Sequence, residues 1–190
     1  LDVNSKVCFN SNVAASVPTR KFIKLKMKEF ENHYFIGQVV NELRSIYLGA
    51  PYEYKIEYNF RNVTDKIYQD GRLRFFCNVP KWMEFLNDSD LTFGSRLHGN
   101  IAAVLAGTPA LLVTKDSRTR ELAEYHHLNA IHESKLNEKL TLQDLVEQQD
   151  FTQIEKYQKQ NLDRYVAFLK KNDIPNIFMD GEDPQETAFD

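Results

Sequence analysis

No apolar run in the 190 residues approaches the roughly 18 that a bilayer span needs. The first residues also lack the basic, apolar and small-residue order of a signal peptide. Both absences point to a cytoplasmic protein without an integral membrane segment. An excess of positive charge is missing too: 24 Lys and Arg stand against 27 Asp and Glu, a formal net charge of −3. That removes the global electrostatic case for a nucleic acid partner or an anionic membrane surface. Cysteine is scarce, at two residues, which excludes a disulfide-built scaffold. Cys8 and Cys77 sit in apolar stretches and read as two buried, reduced thiols, with a single disulfide as the alternative. Internal repeats and low-complexity tracts are absent. His126, His127 and His132 lie near a helix end without the Cys, Asp or further His spacing of a metal set, and read as cations at a helix C-terminus.

What is present is a folded composition, 42% hydrophobic and 12% aromatic, in a length that suits one core. Short β-like runs alternate with longer helical patterns, which predicts an α/β domain, doubly wound and Rossmann-like, around a mainly parallel sheet. Strands are expected at Lys6–Asn10, His33–Gly37, Arg72–Cys77, Asp90–Gly94 and Ala110–Thr114, with a further alternation at Tyr54, Ile56 and Tyr58. Helices are expected over Arg20–Glu31, with a solvated basic face at Lys21, Lys24, Lys26 and Lys28, and over Val39–Tyr47. Asn78 and Pro80 open another. Leu97, Ile101, Val104 and Leu105 form an apolar stripe closed by Gly107. Asp116 and Ser117 cap the next, Thr141 with Asp144 makes a capping box, and a long helix spans Thr152–Lys171 with Ile154, Leu162, Tyr165, Val166 and Leu169 on one side. The domain is expected to cover residues 1–178, followed by a disordered acidic tail over 179–190.

Chemistry concentrates in Leu91-Thr-Phe-Gly-Ser-Arg-Leu-His-Gly-Asn100. A strand ends at Gly94 and a helix starts within two residues, at the edge where doubly wound folds bind ligands. First-turn amides and the helix dipole favour an anion there. Arg96 and His98 stand in that turn against the dipole, a cost of a few tenths up to about 1 kcal/mol, which an anionic ligand would relieve. The alternative is that Arg96 pairs with a carboxylate of the chain itself and that His98 is a satisfied neighbour.

Asp90-Leu-Thr-Phe-Gly-Ser-Arg-Leu-His-Gly99, then Leu105-Ala-Gly-Thr-Pro-Ala110, then Asp116-Ser-Arg-Thr-Arg-Glu-Leu-Ala123 closely resembles the signature block of polysaccharide pyruvyltransferases, over residues 72–130. The resemblance implies transfer of the enolpyruvyl group of phosphoenolpyruvate to two hydroxyls of a sugar or glycan acceptor, as a ketal, in surface or exopolysaccharide biosynthesis. It implies the C-terminal lobe of a two-lobed, GT-B-like transferase, with a partner lobe on the N-terminal side. It implies no cofactor and no metal, and is compatible with peripheral association with a lipid-linked glycan. On this resemblance Arg96 matches the arginine that binds the phosphoenolpyruvate anion, and His98 the general acid. Ser95 and the N–H groups of Gly99 and Asn100 become candidates for phosphate oxygens. Asp116 and Arg118 follow the Ala110–Thr114 strand on the same sheet edge as Arg96 and are candidate ligand residues, with capping and surface salt bridges as the alternative.

In one place the chain departs from that pattern. The family carries another functional arginine after the first strand of this half, where the sequence reads Phe9-Asn-Ser-Asn-Val13. Either the second anion contact comes from elsewhere or the pyruvyl chemistry has changed. A nucleotide-sugar lobe of a glycosyltransferase and a non-catalytic glycan or anion module are the competing readings. Tyr47, Tyr52, Tyr54, Tyr58 and Phe60 read as packing residues, with sugar stacking as the alternative. If the partner lobe completes the site, these 190 residues alone should not catalyse transfer.

Overall fold

A computed structural model describes residues 1–50 and 63–177. The strand expected at Tyr54–Tyr58 and the expected acidic tail lie outside those residues. Six parallel strands, β1 (Val7–Asn10), β2 (His33–Gly37), β3 (Leu73–Phe75), β4 (Leu91–Gly94), β5 (Ala110–Thr114) and β6 (Ala130–His132), form one sheet in the order β3-β2-β1-β4-β5-β6. This is the Rossmann-like order, reversing direction between β1 and β4. β6, only three residues long, has no counterpart in the sequence reading, because so short a run carries too little periodicity.

Strand alternation divides the core into two faces. Val7, Phe9, Phe35, Leu91, Phe93, Leu111 and Val113 point to one side, where Phe22, Ile23 and Met27 of α1 (Val17–Met27) and Leu142 and Leu145 of α7 (Leu142–Glu147) cover them. Cys8, Ile36 and Ala110 point to the other, against Leu86 of α4 (Val79–Asn87) and Ala102, Ala103 and Ala106 at α5 (Leu97–Leu105). The first face is aromatic, with Phe93 edge-on to Phe9 at 6.2 Å and against Phe22 at 6.1 Å. The second sets small residues of α5 beside Ile36 and Leu86, with Tyr34, Phe76, Trp82 and Phe85 packed at its margin.

Several expectations need correction. α1 starts at Val17 because Ser16 caps it, accepting from the Thr19 N–H at 3.3 Å with Pro18 in the first turn, and it stops at Met27. Lys26 is buried rather than solvated; its ammonium pairs with Glu29 at 2.7 Å and lies over the Phe22 ring. In α5 the buried side is Gly99, Asn100, Ala102 and Ala103, whereas Leu105 of the expected stripe is 69% exposed. Small residues face the sheet there because the helix lies close to it. In α8 (Gln153–Lys171) Leu169 is buried, while Leu162 and Tyr165 remain exposed. α2 (Val40–Leu48), α3 (Lys66–Gln69) and α6 (Ser117–Tyr125) complete the described helices. Asn78, Asp116 and Thr141 cap α4, α6 and α7 as expected. No described helix is long and apolar enough to cross a membrane.

Both cysteines are free. Burial pushes the Cys8 thiol up to about 11, but Cys77 is exposed, just beyond β3. At pH 8 a soluble alkylating reagent should therefore modify Cys77 in the folded protein and Cys8 only after unfolding, as intact-mass measurement will read. In denaturant unfolding, Phe93→Ala should cost about 3–5 kcal/mol, whereas Leu105→Ala should stay within about 0.5 kcal/mol.

Candidate active site

β1 and β4 run side by side until Asn10 faces Gly94. Their chains then part, because α1 packs on one face of the sheet and α5 on the other. The crevice that opens there is cross-linked by hydrogen bonds. The Ser95 N–H donates to the Asn10 carbonyl at 3.3 Å, and the Arg96 N–H to Asn10 Oδ1 at 2.8 Å. The Asn12 N–H returns to Ser95 Oγ at 2.8 Å. Gly94 is required for this approach: a Cβ there would lie 2.0 Å from the Asn10 carbonyl oxygen and 2.4 Å from Oδ1.

A cavity of about 360 Å³ lies over this crossing, within the about 300–1,000 Å³ range of small-molecule sites. The ends of β1, β2, β3, β4 and β5 all contribute to its wall: Asn12, then Gly37 and Gln38, then Phe75 and Phe76, then Ser95 to His98, and lastly Asp116, Arg118 and Thr119. One side is polar and cationic. The other is aromatic, where the Phe76 and Trp82 rings stack 8° from parallel at 6.4 Å.

Arg96 ends the loop at the N-cap of α5. Its Nε donates to the Ser11 carbonyl at 2.9 Å and its Nη2 to Glu42 Oε1 at 3.2 Å. So the chain does supply a carboxylate partner for Arg96, while Arg96 also lines the cavity. His98, one turn position further, is exposed on the cavity wall and makes no hydrogen bond or ion pair among the described residues. Ser95 Oγ faces the same space.

Gly99 and Asn100 have other work. Gly99 is buried and does not line the cavity; a Cβ there would meet the Gln38 amide nitrogen at 2.4 Å. The Asn100 N–H is bonded to the Arg96 carbonyl at 3.2 Å, so it is not free for a phosphate oxygen. The Asn100 side-chain amide donates to the Gly94 and Arg96 carbonyls at 3.2 and 2.8 Å, bracing the loop from below. The amides of Leu97, His98 and Gly99 are the first-turn groups that a helix leaves without internal partners.

Asp116 caps α6, accepting from the Thr119 N–H at 2.7 Å and the Thr119 hydroxyl at 2.9 Å, and these bonds hold its carboxyl below the usual range. Arg118 is exposed on the cavity wall with no hydrogen bond or ion pair among the described residues. Arg20, near the place where the family carries its further arginine, is buried and donates to the Val13 and Ala15 carbonyls. It supports the loop after β1 and does not reach the cavity wall. His126 and His127 follow α6, His127 stacks on Tyr157 at 3.8 Å, and His132 ends β6. Among the described residues no group of three or more His, Cys, Asp or Glu could hold a metal ion.

Residues 17–117 match the sequence profile of the polysaccharide pyruvyl transferase family. The chain belongs to this family. Among curated proteins and among solved structures none matches it significantly. The match begins far upstream of the signature block at residue 72, and so includes α1, β2 and α2 as well as Arg96 and His98. It stops one residue before Arg118.

Gln38, Glu42, Asn10, Asn12, Phe75, Phe76 and Trp82 are the site residues that sequence reasoning missed. Phe75 and Phe76 read as strand, and the polar ones carry no spacing signal; only Asn10-Ser-Asn12 at a strand end offered a clue. Gly94→Ala should lower the unfolding midpoint and displace the Ser95–Arg96 loop. A crystal structure of that variant with Asn10 and Arg96 unmoved would contradict the packing described.

Proposed function

We propose that this transferase carries the pyruvyl donor chemistry of its family at the cavity over β1 and β4, with phosphoenolpyruvate as donor and a sugar hydroxyl pair as acceptor in surface or exopolysaccharide synthesis. The observation that supports this most is the convergence of Arg96, His98 and Arg118 on one cavity, at the starts of α5 and α6, where Arg96 alone of the three has an ion pair among the described residues. Phosphoenolpyruvate brings a phosphate and a carboxylate, and two guanidinium groups lining one cavity match two anions. Arg118 then stands in for the arginine absent after β1.

In this mechanism His98 as imidazolium gives a proton to the methylene carbon, leaving positive charge at the enol carbon. One sugar hydroxyl adds there and loses its proton to the histidine. Loss of phosphate lets the second hydroxyl add, and its proton leaves with the phosphate. The sum is one ketal and one inorganic phosphate. The stacked Phe76 and Trp82 supply an apolar wall against which a sugar face can rest. A nucleotide-sugar reading is less well served, since it needs an acidic residue for a ribose, and Glu42 and Asp116 are already engaged by Arg96 and Thr119.

Incubation of the complete enzyme, partner lobe included, with phosphoenolpyruvate and candidate glycans should release phosphate and produce the methyl singlet of a pyruvate ketal in proton NMR. His98→Ala should reduce kcat about 10²–10⁴-fold while phosphoenolpyruvate affinity persists. Near-full activity in that variant would remove the acid role. Arg118→Ala should weaken phosphoenolpyruvate binding in calorimetry.

A further inference from the structure

We infer that Glu42 is a positioning residue, which holds the Arg96 guanidinium so that its Nη1 side is presented to the donor anion. Glu42 itself does not line the cavity; it lies behind Arg96 with its side chain 1% exposed. Its Oε1 takes the Arg96 Nη2 at 3.2 Å, and its Oε2 takes the Val39 N–H at 3.0 Å and the Gln38 N–H. The carboxylate therefore ties the guanidinium to the start of α2, a different element from the one that carries Arg96.

A guanidinium has five donors in a rigid planar fork. Nε and Nη2 form one edge of that fork, and both are spent inside the protein, on Ser11 and Glu42. The Nη1 donors have no partner among the described residues, and Arg96 lines the cavity. Two anchors on one edge fix the plane of the group, so the free side needs no reordering when an anion arrives. Gly37 makes the arrangement possible, since a Cβ at that position would crowd Glu42 Cβ at 3.0 Å and Ile46 at 3.1 Å. A cap for α2 alone would explain Oε2. It would not explain the reach of Oε1 to a residue 54 positions away.

The inference rests on Arg96 as an anion-binding residue, and its test separates the two. Glu42→Gln keeps the shape, yet an amide cannot accept from Arg96 and from both backbone N–H groups at once. In side-chain NMR of the unliganded wild type, the Arg96 Nη protons, assigned by their loss in Arg96→Lys, should be resolved by hindered rotation, and Glu42→Gln should average them. Phosphoenolpyruvate affinity by calorimetry should fall about ten- to a hundredfold in Glu42→Gln, appearing in KM more than in kcat. The fall should vanish when Glu42→Gln is added to Arg96→Lys. Unchanged affinity in Glu42→Gln, or an equal loss in the Arg96→Lys background, would overturn the inference. If the wild type binds no phosphoenolpyruvate, the donor assignment is lost and the Nη signals alone decide: averaged signals in the wild type overturn the positioning role, and resolved signals that Glu42→Gln averages sustain it. Should Glu42→Gln not fold, Glu42→Asp, which withdraws the charge by one methylene, carries the same comparisons.

Discussion

The contact between Asn10 and Gly94 governs the architecture of the site. Two parallel strands reach the reversal point of the sheet together, and their chains leave for opposite faces. Without the hydrogen bonds from Ser95 and Arg96 to Asn10, the loops after β1 and β4 would carry buried polar groups with no partner. Asn10 is 1% exposed, so water cannot substitute. Because the missing Cβ of Gly94 lets the Asn10 carbonyl come so near, the start of α5 is pinned where its free amides and two basic side chains open on the cavity.

Charge at the site follows an unequal division. Burial raises the Glu42 carboxyl above its ordinary value, against the opposing pull of Arg96 and of the Gln38 and Val39 amides. Removing one partner of such a pair leaves a buried charge, which commonly costs about 3–5 kcal/mol. Arg96 thus spends part of its donor set on stability, while His98 and Arg118 stand on the wall with no hydrogen bond or ion pair among the described residues. Arg96 at the start of α5 and Arg118 at the start of α6, only the first of them paired, stand against the helix dipoles. An anionic ligand in that space would offset the cost. Family membership and local electrostatics therefore point the same way, from separate observations.

Much of this was legible in the chain before any coordinates. Local signals carry strands and caps: β2 and β5 fall where the apolar runs placed them, and Asn78, Asp116 and Thr141 cap the helices they were assigned. The Gly94-Ser-Arg-Leu-His98 stretch could be placed at a strand end because a period-2 pattern gives way there to a helical one. Reading α5 by hydrophobicity failed at Leu105, since closeness to the sheet selects small residues over large ones on that face. Reading Lys26 as solvated failed because its ammonium lies over the Phe22 ring while Glu29 pairs with the charge.

The chain by itself determined the α/β class, the place of His98 in a helix's first turn, and the family, because each depends on neighbours within a few residues or on an ordered motif; Arg96, expected in that turn, is its extended N-cap. Only the tertiary structure decided what those residues meet. Glu42 reaches Arg96 from another strand's helix, and Phe76 and Trp82 close the far wall. Sheet order brings these groups together, and sheet order is set by which faces each helix covers. No spacing along the chain records that.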